Sequence, residues 1–214
     1  MNLSLRALTE FVGTFFLVLT IGLTVKAEPL SAAVAIGVAL SVLVYMGGHV
    51  SGAHYNPAVS LAFLLRKVIG PTEFLAYVVV QLLGAMAGAV MAQALSGTAL
   101  VVAPSPQAAP FMPVVAEAIW TGLLVLVVLH VATHPKTHGN SYYGVAIGGT
   151  VLAGAIAVGP ISGGAFNPAV GVGPALVGLL REGASVSTAW VYLVGPLVGA
   201  VAAAGLFGLQ RRVA

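Results

Sequence analysis

The chain carries the tripeptide Asn-Pro-Ala twice, and each copy opens an apolar run too short to cross a bilayer. Asn56-Pro57-Ala58 stands in SGAHYNPAV, and Asn167-Pro168-Ala169 in SGGAFNPAV. Asparagine is a good helix N-cap, and proline suits the first helical position, so each tripeptide marks a helix start. The predicted helices cover 57–65 and 168–180 and end at Arg66-Lys67 and Arg181-Glu182. At ~1.5 Å per residue, each spans about half of a ~30 Å hydrocarbon core. Two half-helices with capped starts meeting near the midplane are the expected arrangement. One Asn-Pro-Ala is an ordinary helix start; two in matched settings are not.

Hydrophobic residues make up 59% of the sequence and charged residues 6%, against about 25% charged in a soluble domain. The chain reads as an all-α integral membrane protein. Its formal charge of +3 does not indicate nucleic acid, because basic residues stand singly or in pairs at the ends of apolar runs. Without cysteine there is no disulfide framework and no thiolate chemistry. No metal-ligand cluster, phosphate loop or strand pattern appears, so neither cofactor nor enzymatic chemistry is expected. The first apolar run is interrupted by Glu10 and extends to Val25, longer than the core of a signal peptide, and reads as a retained span.

Six long spans are predicted, at about 5–25, 31–48, 72–95, 114–131, 142–158 and 186–209, with a Pro- and Ala-rich loop from Ser96 to Pro113. The half-helices follow spans two and five. The halves are repeats, 1–103 and 110–214, within a single domain, 1–214. Glu10 and Thr14 correspond to Glu117 and Thr121, and Gly84 and Gly88 to Gly195 and Gly199. Three spans per half is an odd number, so the second half crosses in the opposite sense, as an inverted repeat with its site at the midplane. Arg6, Arg66, Lys67, Lys136, Arg211 and Arg212 fall on one side; Lys26 and Arg181 fall on the other. The positive-inside rule puts both termini in the cytoplasm. The approaches to the asparagines, 47–55 and 159–166, are rich in Gly, Ser and His and read as extended backbone. Intramembrane Glu10 and Glu117 are either loop supports or a proton relay.

Paired Asn-Pro-Ala motifs in a duplicated membrane chain resemble the aquaporin and aquaglyceroporin (major intrinsic protein) family, over nearly the whole length. The sequence looks like a prokaryotic member, in a bacterial inner membrane. The resemblance implies a passive channel with one pore per chain and a homotetrameric assembly. It also implies that the Asn56 and Asn167 amides donate to a passing solute, that Glu10 and Glu117 brace the re-entrant loops, and that His49 lies on the cytoplasmic approach to the pore. His54 reads as a residue that fixes loop geometry.

Family spacing puts the selectivity filter at Ile36, Ala155, Gly164 and Val170. Val170 stands where related channels carry an arginine, and Ala155 where water-only channels carry a histidine. The filter should be wide and apolar, admitting water and small uncharged solutes such as glycerol, urea, or arsenous and boric acids. Short loops match compact water channels instead, so a strictly water-selective channel is the alternative. A proton-coupled transporter using Glu10 and Glu117 is the rival of another class.

Overall fold

Proline and glycine set the ends of most helices. The computed structural model describes residues 2–24 and 28–213, so Val25 and Lys26, and the side chain of Arg212, lie outside the described residues. Among the described residues there are eight α-helices: α1 (Leu3–Thr24), α2 (Pro29–Ser51), α3 (Pro57–Leu65), α4 (Pro71–Ser96), α5 (Met112–Thr133), α6 (Tyr143–Ser162), α7 (Pro168–Glu182) and α8 (Ala189–Val213). Proline occupies the first turn of α2, α3, α4, α5 and α7, where its missing N–H costs nothing. Glycine in the left-handed conformation ends α2, α4, α6 and α7 at Gly52, Gly97, Gly163 and Gly183.

Six of these helices are long and apolar enough to cross a membrane. The half-helices α3 and α7, of 9 and 15 residues, are not. The expectation of extended backbone over 47–55 and 159–166 is corrected: α2 continues to Ser51 and α6 to Ser162. Residues 47–51 keep intrahelical bonding until Gly52, whose N–H caps back to Gly48 O; Gly163 does the same to Gly159 O. The non-helical pieces are therefore four residues each, 52–55 and 163–166, and three residues in each (Gly52, Ala53 and Tyr55; Gly163, Gly164 and Phe166) are at positive φ instead of extended. Helix α7 runs two residues past the expected end at 180 because Gly183, not Arg181, supplies the left-handed stop.

The two halves form an inverted repeat. Helix α1 packs along α4, and α5 along α8 in the same way, while α2 and α6 join the halves. Each half-helix also lies against the last span of the opposite half, α3 on α8 and α7 on α4. Side chains such as Val38, Val42, Leu75, Val79, Ile119 and Val145 are exposed on the outside. They form the apolar belt that a hydrocarbon layer covers.

Close approach of the spans rests on glycine. A Cβ at Gly84 would sit 2.5 Å from Phe11 O, and one at Gly88 2.6 Å from Phe15 O, both on the α1 backbone. Gly195 and Gly199 face the α5 backbone similarly. Small residues of this kind let helices gain dispersion contacts that lipid cannot match. Gly88→Ile is expected to cost at least roughly 3 kcal/mol, because backbone cannot yield as a side chain does. Gly205→Ile, with nothing within 4 Å of the new Cβ, is expected to be neutral. Thermal unfolding of the two variants in detergent checks the contrast.

Candidate functional site

The starts of α3 and α7 meet inside the bundle, and their capping asparagines tie the two loops together. Asn56 and Asn167 are both extended, with φ near −156° and −157°. Asn56 Oδ1 accepts from Ala58 N at 2.8 Å, and Asn167 Oδ1 from Ala169 N at 2.9 Å, so each caps its own helix. Each amide nitrogen then crosses to the other repeat. Asn56 Nδ2 donates to Phe166 O, and Asn167 Nδ2 to Tyr55 O, both at 2.8 Å. A side-chain amide has two N–H groups. One N–H of each asparagine is left without a protein acceptor among the described residues.

The carbonyls they reach belong to residues in an unusual conformation. Tyr55 and Phe166 have φ of 49° and 50°, the left-handed region where a bulky aromatic residue is strained. Both backbone N–H groups donate to a buried carboxylate at 2.6 Å, Tyr55 to Glu10 Oε2 and Phe166 to Glu117 Oε2. Glu10 Oε1 also accepts from Ser51 Oγ (2.6 Å) and His54 N (2.9 Å), and Glu117 Oε1 from Ser162 Oγ (2.7 Å) and Ala165 N (3.0 Å). Gln81 Nε2 adds a fourth donor to Glu10 at 2.8 Å. Both carboxylates are fully buried, which is tolerable only with hydrogen bonds of this number. The aromatic rings turn into the helix packing. The Tyr55 hydroxyl donates to Leu43 O at 3.0 Å, and the Phe166 ring lies 6.3 Å from that of Trp120.

Three spaces lie along one path through the bundle. A central cavity of about 110 Å³ is bordered by both asparagines. Toward the face where α1 begins, the near face, lies a vestibule of about 350 Å³ lined by Arg6, His49 and Ile69 among others. Toward the far face lies a funnel of about 740 Å³. The central cavity and the funnel share Ile21, Ile36, Val102, Ala155 and Gly163. The central cavity and the vestibule share one residue, His54.

The residues singled out by spacing are brought together here. Ile36, Ala155, Gly164 and Val170 all border the central cavity, with Ile36 and Ala155 also on the funnel. Pro57, Ala58, Pro168 and Ala169 are buried behind the asparagines in the first turns of α3 and α7. His49 is exposed and borders the vestibule, not the central cavity. Glu10 and Glu117 border none of the three spaces. Several wall residues were missed from sequence, His54 and Val102 among them. His54, expected to fix loop geometry, is the one histidine two residues ahead of an Asn-Pro-Ala tripeptide. Val102 lies in the long connecting loop, which turns inward with Leu100 buried and Ser105 N bonded to Ile161 O at 3.0 Å.

Six spans around a cavity strung between two open mouths, met by two opposed half-helices, define a membrane channel, not an enzyme. The chain belongs to the major intrinsic protein family, whose sequence profile matches residues 1–207. It is 38% identical to Aquaporin NIP1-4 of Oryza sativa subsp. japonica, over 95% of this chain and 76% of that one. It is 36% identical to glycerol uptake facilitator protein-like 6 of Lactiplantibacillus plantarum, over 93% and 94%. The aquaglyceroporin from Plasmodium falciparum superposes with a TM-score of 0.86 at 25% identity, covering 96% of both chains.

Glu117→Leu strands the N–H groups of Ala165 and Phe166 and leaves the Ser162 hydroxyl only its longer bond to Val158 O at 3.4 Å. At roughly 1–3 kcal/mol for each orphaned donor, the loss approaches the whole stability of a typical domain. The variant is expected to yield no monodisperse protein in gel filtration, whereas Glu117→Gln, which keeps one acceptor oxygen, yields folded protein of lowered thermal stability.

Proposed function

We propose that the chain is a passive channel for water and small uncharged solutes such as glycerol, urea or undissociated metalloid acids, with a wide apolar filter at Ile36, Ala155, Gly164 and Val170. One observation carries this: all four residues border the central cavity, and none offers a charge or a side-chain hydrogen bond. The spare N–H groups of Asn56 and Asn167 border the same cavity and serve as its midplane donors. Two opposed helix N-termini add a positive potential there that opposes cations. Glu10 and Glu117 act as braces: each accepts the backbone donors of one loop. Burial away from the path and full use of their oxygens give them no part in proton coupling. His49 belongs to the wider approach on the near face.

The chain functions as one domain, 1–214, of two repeats, 1–103 and 110–214. Basic residues on the near face, Arg6, Arg66, Lys67, Lys136 and Arg211, make that face cytoplasmic by the positive-inside rule and place both termini there. The family resemblance supports a homotetramer in the plasma membrane, the inner membrane of a bacterium.

Stopped-flow light scattering on proteoliposomes, compared with protein-free vesicles, tests the proposal. Rapid osmotic water flux together with glycerol and urea uptake is the expected result. Rapid water flux with no solute uptake would instead establish a water-only channel. Val170→Arg adds volume and a fixed charge to the wall and is expected to cut glycerol and urea uptake more than water flux. Unchanged solute uptake in that variant would remove Val170 from the constriction.

A further inference from the structure

Helices α5 and α8, both of which cross the membrane, leave an open groove of about 390 Å³ between them on the outer surface. Ile119, Leu123, Val198 and Leu206 stand exposed along its edges. Gly122, Gly199 and Ala203 lie deeper. The first repeat fills the same place with its own side chains. Counted from Glu10 and Glu117, Phe11 and Phe15 stand where the second repeat has Ala118 and Gly122. Counted from Gly84 and Gly195, Met91 stands where it has Ala202. Val198 in place of Ala87 returns only a small part of that volume. Atoms lining such a gap lose dispersion contacts unless something from outside supplies them.

The groove runs into a cationic rim. Both helices head toward the near face, and one turn beyond Leu126 and Leu206 stand His130 and Gln210. His130 Nε2 and Gln210 Oε1, 2.8 Å apart, join the two helices across the groove's near end. The rings of His130 and His134 stack at 5.8 Å, which holds the following turn against this end. Lys136 in that turn and Arg211 beside Gln210 are both exposed. Neither has an acidic partner among the described residues, where the one ion pair joins Arg6 to Glu73.

These charges decide between occupants. The chain has five acidic residues. Glu10 and Glu117 are buried in the loop braces, Glu73 is paired with Arg6, and Glu28 and Glu182 lie toward the far face. A second copy of this chain therefore brings no free carboxylate to the level of Lys136 and Arg211. A lipid phosphate does reach that level, with an apolar chain running inward from it.

We infer that the groove between α5 and α8 is a binding site for an anionic phospholipid of the near leaflet. One acyl chain lies over Ala118, Gly122 and Ala202, and the phosphate sits at the rim with Lys136, Arg211 and the His130–Gln210 pair. From His130 back to Ala118 is ~18 Å at ~1.5 Å per residue. One leaflet's half of a ~30 Å core is roughly 15 Å, so a chain held at the rim fills the groove along its length. Basic pockets between spanning helices are suited to anionic head groups. The lipid gives α5 and α8 the packing that Phe11, Phe15 and Met91 give α1 and α4.

The test uses the full chain in phosphatidylcholine vesicles with a trace of phosphatidylglycerol carrying a photoactivatable diazirine in one acyl chain. Labelled positions are mapped by peptide mass spectrometry. Label is expected on 118–126 and 198–206 in excess over the matching 11–19 and 87–95 of the first repeat. The same diazirine chain on phosphatidylcholine is expected to label the two repeats alike. Gly122→Phe with Ala202→Met restores the first repeat's side chains and is expected to abolish the excess. A Cβ at Gly122 comes no closer than 3.4 Å to Gly199 O, so the backbone there tolerates it. Lys136→Glu with Arg211→Glu is expected to reduce phosphatidylglycerol labelling of the groove about tenfold. If the groove variant does not fold, this exposed pair of reversals decides the matter. Equal labelling of the two repeats by phosphatidylglycerol, or equal labelling of the groove by both lipids, would overturn the inference. So would an excess that survives either pair of substitutions, or a groove left unlabelled because a second copy covers it.

Discussion

Opening a helix inside hydrocarbon exposes backbone N–H and C=O groups that no lipid can satisfy. This protein does so twice, and the two buried carboxylates take up the resulting donors. Glu10 accepts the N–H groups of His54 and Tyr55, and Glu117 those of Ala165 and Phe166. The same bonds hold Tyr55 and Phe166 in the left-handed conformation. Their carbonyls then point across the bundle to the asparagine of the other repeat. The loop geometry, the facing of the half-helices and the aim of the asparagine amides all depend on these bonds.

The reciprocal crossing of Asn56 and Asn167 makes the two loops one unit. Each asparagine uses its oxygen to cap a helix and one N–H to grip the other loop. What remains is a single donor per asparagine beside the cavity. Such an amide is pre-organised, because turning it would break two bonds at once. A donor fixed in this way can replace part of a solute's hydration with little loss of entropy.

The symmetry of the braces does not extend to the wall. The first repeat has His54, Ser60 and Gln81 where the second has Ala165, Gly171 and Tyr192. Tyr192 reaches Ser162 O at 2.6 Å, the bond that Tyr77 makes to Ser51 O at 2.7 Å from one turn earlier in its helix. The two halves thus reach the same support of the loop by different residues. In the first repeat this leaves the Gln81 position free for a chain of hydrogen bonds that ends on His54.

The half-helices, the repeat and the pairing of Glu10 with Glu117 were legible in the sequence, because each is written in local spacing. Asn-Pro caps a helix wherever it occurs, and an apolar run of a given length crosses a bilayer or does not. The ends of α2 and α6 were less legible: glycine-rich residues before Gly52 and Gly163 stay helical when neighbouring spans pack around them. Family spacing also brought Ile36, Ala155, Gly164 and Val170 to one cavity. Only the tertiary structure decided that His54 rather than His49 borders the central cavity, and that the connecting loop brings Val102 to the far mouth. A histidine's facing is set by Phe63, Tyr77 and Ser60, and an irregular loop's path by distant partners such as Ile161. Neither leaves a periodicity in the chain, since the bonds that decide them join residues that only folding brings together.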